Sequence, residues 1–135
     1  MITKLGDFKV WRAEALIKLY FSRSQKVAID KLADHQSIDY LITMNINNTP
    51  YLFPVILKTT GNIKNLKLLN SRLNIPHSSF TLLMFIVADI NNDQLYYTWI
   101  KNSALKNKTL VRTADLKNLS KTGLQEVFDF VKANA

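Results

Sequence analysis

The sequence predicts a mixed α/β domain. Three observations carry that expectation: helical three- and four-residue apolar spacing near both ends of the chain, a β-hairpin pattern over residues 37–61, and an unbroken apolar run at 80–90 followed by an alternating strand. At 135 residues the chain is expected to form one domain, residues 1–135, large enough to bury roughly two-thirds of its unfolded surface in one core.

Taken in order, the chain opens with a helix. Gly6-Asp7 offers an N-cap, and Phe8, Trp11, Ala15 and Leu19 recur on one face, widened by Leu16 and Tyr20. Glu14 lies within this helix, which is expected to end near Ser22-Arg23-Ser24. Residues 25–31 form the next predicted strand, and a polar loop, Ala33-Asp34-His35-Gln36-Ser37, leads into the hairpin. Its arms are rich in β-branched and aromatic residues, and Asn45-Ile46-Asn47-Asn48-Thr49-Pro50 between them carries turn chemistry. Each arm holds one lone charge in apolar surroundings, Asp39 at the start of the first and Lys58 near the end of the second. Antiparallel pairing lays the start of one arm beside the end of the other, so Asp39 and Lys58 are expected to be neighbours.

Beyond Gly61 the spacing of Ile63, Leu66, Leu69 and Leu73 predicts a helix that Pro76 ends. Residues 80–90 lack polar alternation, as in a strand buried on both faces. Asn91-Asn92-Asp93 turns the chain into a strand whose Leu95, Tyr97 and Trp99 share one face and Tyr96, Thr98 and Ile100 the other. A short strand is expected at 109–112. The last helix carries a capping box, Thr122-Gly-Leu-Gln125, and an apolar stripe at Leu124, Val127, Phe128 and Val131.

Composition narrows the function classes. The absence of cysteine excludes disulfides and thiolate metal sites, the N-terminus lacks a signal-peptide core, and the apolar run at 80–90 is too short to span a bilayer. A soluble cytoplasmic protein is the expectation. The net charge of +8 is uneven: residues 60–121 carry nine Lys/Arg against three Asp/Glu, including Lys64, Lys67, Lys101, Lys106 and Lys108. That excess suggests a surface facing a polyanion, although a well-solvated lysine-rich surface has the same composition. His35 and His77 lack the partners of a zinc site, and no glycine-rich phosphate loop or nucleophile elbow occurs. Tyr96, Tyr97 and Trp99 have the ring faces to stack on bases, but in a strand such residues more often pack in the core.

Glu14 on the first helix, Ile38-Asp39 opening a strand, and an apolar strand ending at Lys58 before Thr59-Thr60-Gly61 resemble the PD-(D/E)XK nuclease superfamily. The chain is similar in particular to short bacterial domains of unknown function that carry Glu on the first helix, then Gly-Ile-Asp, Gln-Val-Lys and an aromatic strand ending in Trp. Tyr96-Tyr97-Thr98-Trp99-Ile100 matches the last of these, so the resemblance covers residues 8–101. It implies a restriction-endonuclease-like αβββαβ core with a mixed sheet, here followed by a C-terminal helix. It also implies a Mg²⁺-dependent phosphodiesterase centre and nucleic acid, usually DNA, as partner.

Carried over residue by residue, the resemblance makes Asp39 the principal metal ligand and Glu14 a second, with the Leu57 carbonyl as a third. Lys58 would orient or deprotonate the attacking water and offset charge in the transition state. The chain departs from the pattern at Ile56, where the family has Glu, Asp or Gln two residues before the lysine. Ile56 should point the same way as Lys58 yet cannot bind a metal. The implied activities are thus a weak or partner-dependent DNA endonuclease, or a silent nuclease-fold module that binds nucleic acid or a protein partner, with a homodimer as one form. Without the resemblance, Asp39 and Lys58 read as a cross-strand ion pair and Glu14 as a solvated helix-face carboxylate.

Overall fold

The computed structural model describes residues 5–32, 38–61, 72–73, 82–101, 109–110 and 115–134. In chain order the elements are α1 (Leu5–Phe21), β1 (Val27–Lys31), β2 (Tyr40–Ile46), β3 (Thr49–Thr60), β4 (Arg72–Leu73), β5 (Leu82–Asp89), β6 (Gln94–Lys101), β7 (Thr109–Leu110), β8 (Lys117–Asn118) and α2 (Leu119–Asn134). Six strands form one sheet in the order β1-β2-β3-β5-β6-β8, and β4 pairs with β7 apart from it. The α/β expectation holds. β3 and β5 are parallel neighbours while every other pair in the sheet is antiparallel, so the sheet is mixed.

The hairpin at the centre of this sheet is tighter than its sequence suggests. Asn47 and Asn48, with φ of 52° and 64°, form a two-residue connection, and Thr49 and Pro50 already belong to β3. Positive φ at both central positions is the type I′ requirement, and asparagine meets it more readily than most residues. Pro50 and Pro54 precede Val55, where pairing with β5 begins, so their missing N–H groups fall where one side of β3 has no partner strand.

β5 has every residue buried, as its apolar run predicts. Met84, Ile86 and Ala88 join the larger core, whereas Leu83, Phe85 and Val87 join a smaller one on the other face. β6 divides as its alternation predicts, with Leu95, Tyr97 and Trp99 on the larger core and Tyr96 and Ile100 on the smaller. Trp99 stacks on Phe130 at 4.9 Å between centroids and meets Phe53 edge-on at 5.0 Å. Core packing therefore occupies that ring.

Both helices cover the larger core, and α1 corrects the sequence reading. Ala13, Leu16, Ile17, Tyr20 and Phe21 are buried, while Phe8, Trp11, Ala15 and Leu19 face outward, with Leu19 57% exposed. Only Leu16 and Tyr20 of the expected stripe are inside. The physical reason lies in two polar anchors flanking the buried stripe. The Arg12 guanidinium donates to the Ile90 carbonyl at 2.8 Å and to Asp93 at 2.7 Å, and Glu14 accepts from Lys31. The Tyr20 hydroxyl donates to the Asp93 carbonyl at 2.9 Å, adding to the rotational lock on the β5–β6 turn. The helix also starts at Leu5, which puts Gly6-Asp7 inside its first turn.

Two further expectations change. Leu73 lies in a short strand, whereas the rest of the helix expected around Ile63, Leu66 and Leu69 lies outside the described residues. At the C-terminal helix, Gly123 has φ 75° and ψ 176°, a break between a short helical turn and the main helix. Gly123 rather than Thr122 thus precedes that helix, because its missing Cβ permits this backbone conformation. Of the strand expected at 109–112, Thr109–Leu110 form β7 and residues 111–112 lie outside the described residues, and β8 had no clear pattern in the sequence. Among the described residues, no helix is long and apolar enough to cross a membrane.

Candidate active site

Pairing between β2 and β3 gives way at Asp39, and the site begins there. The Asp39 N–H donates to the Val55 carbonyl at 2.9 Å, and its carbonyl accepts from Leu32 N–H at 3.0 Å. Its carboxylate Oδ2 then accepts the Leu57 N–H at 2.8 Å, so a side-chain oxygen pairs with the donor that lies beyond the regular ladder. Three bonds fix this residue between Leu32, just past β1, and β3. A charged acceptor on a backbone donor is also stronger than a neutral one.

Glu14 reaches the same place from α1. The Tyr40 ring is buried, and Tyr40 lines the same pocket as Glu14. Burial above all, then the negative charges of Glu14 and Asp39, push the Tyr40 hydroxyl well above its ordinary pKa. It therefore stays protonated. Lys31 Nζ contacts Glu14 Oε1 at 2.5 Å from the end of β1.

Glu14, Asp39 and Lys58 line one pocket of about 220 Å³, together with Lys31, Tyr40 and Leu57. The sequence places the three candidate catalytic residues on a helix, a strand entrance and a strand exit, and the fold brings them to one end of the hairpin. Asp39 and Lys58 are pocket neighbours, but no ion pair joins them among the described residues. The alternative of a simple cross-strand ion pair is therefore corrected. Glu14 is likewise no freely solvated carboxylate, since its side chain is 17% exposed and ion-paired.

Ile56 shares the strand phase of Lys58 but does not line the pocket. It is 4% exposed and packs with Leu83, Phe85, Val87 and Ile100 in the smaller core. The expected ligand position is occupied by packing. Of the expected nucleic-acid-binding lysines, Lys64, Lys67, Lys106 and Lys108 lie outside the described residues, as do His35 and His77, and Lys101 closes β6 opposite Leu82.

Sequence reasoning missed Lys31 and Tyr40. The signal for Lys31 was present: Val27 and Ile29 of β1 pack on the larger core, and Lys31 follows them in the same two-residue phase. A lysine continuing an inward row is more informative than its solvated appearance suggests. Tyr40 is opposite Lys31 in register, which places both side chains on the α1 side of the sheet.

The donor set was weighed against the divalent ion that the resemblance implies. Glu14 is held by an ammonium, Asp39 by a backbone N–H, and Ile56 points into a core. Among the described residues, no group of three or more His, Cys, Asp or Glu is placed to hold a metal. Arranged this way, the pocket does not fit a divalent ion, because a cation already engages one of its two carboxylates.

No protein-family model matches the sequence, and neither the curated proteins nor the solved structures yield a match.

Proposed function

We propose that this chain is a nuclease-like domain that binds nucleic acid, built on a restriction-endonuclease-like core whose pocket is formed by Glu14, Asp39 and Lys58. The observation that carries the reading is the meeting of those three residues in one pocket at the open end of the β2–β3 hairpin. Support also comes from the strand order: β1, β2 and β3 run as an antiparallel meander, and β5 returns parallel to β3, the arrangement expected of an αβββαβ core. DNA is the partner in this reading, Lys101 and the other lysines of residues 60–121 supply the charge, and the cytoplasm is the setting. Because the pocket does not fit a divalent ion as folded, binding rather than cleavage is the proposed activity. With Mg²⁺ or Mn²⁺, duplex DNA is expected to be cleaved weakly or not at all.

A titration of duplex DNA by fluorescence anisotropy across a salt series tests this. Neutralised phosphates release counterions, so the logarithm of the affinity should fall by about 0.9 per contact for each decade of salt, with on the order of 3 to 5 contacts. Replacing Lys101, Lys106 and Lys108 together by Gln should lower that slope. No binding to DNA or RNA at low salt would overturn the proposal in favour of a silent nuclease-fold module that binds a protein. One observation favours that second reading: Phe8, Trp11 and Leu19 form an exposed apolar stripe on α1, each more than half exposed.

A further inference from the structure

The pocket carries its own cation, and its position bears on what the site can bind. Lys31 continues the inward row of Val27 and Ile29 on the edge strand and lies opposite Tyr40 in register. Its ammonium meets Glu14 Oε1 while its side chain remains 63% exposed, against 17% for Glu14. Tyr40 is buried against Glu14 on the inner side, so the ammonium approaches the carboxylate from the open side. An incoming divalent ion has to use that open side as well. Two cations on one carboxylate repel strongly at such separations.

We propose that Lys31 is the resident cation of this pocket: its ammonium takes the place beside Glu14 that a divalent metal would otherwise occupy, leaving a metal-independent site. Resting on the nuclease-like reading of the pocket, this inference explains how the largely buried Glu14 carboxylate is tolerated there. Lys31 offsets Glu14, so that carboxylate is paired without a metal ion. Polyanion binding should then need no divalent cation.

Mn²⁺ binding to the full chain, followed by electron paramagnetic resonance, tests the inference. Lys31→Met keeps most of the apolar stem and removes the charge, and it should tighten Mn²⁺ binding at least about tenfold over the unaltered protein. Lys31→Arg retains the charge and should show no gain. Adding Glu14→Gln to Lys31→Met should abolish the gain, which locates the new site at this carboxylate. If circular dichroism shows that Lys31→Met does not fold, Lys31→Gln is read in its place.

Equal Mn²⁺ affinity in the unaltered protein and the charge-removing variant would overturn the proposal. So would a gain in Lys31→Arg as large as that in Lys31→Met. DNA affinity should be unchanged by a chelator, and an affinity that requires Mg²⁺ would also count against the inference. A chain that gains Mn²⁺ binding on losing Lys31 but never binds nucleic acid would retain this inference and overturn the functional reading alone.

Discussion

The two sides of α1 are both apolar, yet one is core and the other is surface. Ile17 and Phe21 are fully buried, while Phe8, Trp11 and Leu19 are each more than half exposed. Hydrophobicity alone does not separate them. Arg12 and Glu14, about 200° apart around a helix that turns 100° per residue, flank the buried stripe and find partners only in this rotation. Arg12 reaches the β5–β6 turn, and Glu14 reaches Tyr40 and Lys31. Turning the helix over would take the largely buried Glu14 carboxylate from its partner, and an unpaired buried polar group costs about 1–3 kcal/mol. Polar anchors can thus choose between two apolar faces of similar driving force.

The largest test of this contrast is Ile17→Ala, expected to destabilise the fold by about 2–5 kcal/mol through lost burial and the cavity left behind. Urea unfolding of Ile17→Ala beside Leu19→Ala should show a large drop only for the first. Comparable losses would mean that the exposed face is covered in solution.

A smaller effect concerns the anchor at Tyr40. Its pKa is raised in the folded state, so its contribution is fully present below the ordinary tyrosine value of 10.0 and is lost as pH rises toward the folded value. Unfolding midpoints should therefore fall above about pH 10, and Tyr40→Phe should flatten that alkaline decline. An unchanged slope in Tyr40→Phe would assign the decline to other groups and remove Tyr40 from the anchoring role.

The smallest effect belongs to the outer face. Trp11→Ser should change stability by no more than about 0.5 kcal/mol, as at most exposed positions. Tryptophan fluorescence of the unaltered chain sharpens the point, since Trp11 is 55% exposed while Trp99 packs between Phe53 and Phe130. An external quencher should reach one tryptophan population and spare the other.

What the sequence determined was the set of elements with strong local signals. The doubly apolar run became β5 because only a strand sandwiched between two cores buries residues of both phases, and the alternation in β6 assigned Tyr97 and Ile100 to opposite faces. The lone charges Asp39 and Lys58 and the helical Glu14 were legible as site candidates because each stands among apolar neighbours. Tertiary structure alone decided which face of α1 is inside, because that choice depends on partners for Arg12, Glu14 and Tyr20 that lie 17 to 81 residues away in sequence. It also decided that Ile56 fills a core and that Lys31 stands beside Glu14. Both outcomes come from strand phase and register, which place side chains on one side of the sheet or the other only after neighbouring strands have paired.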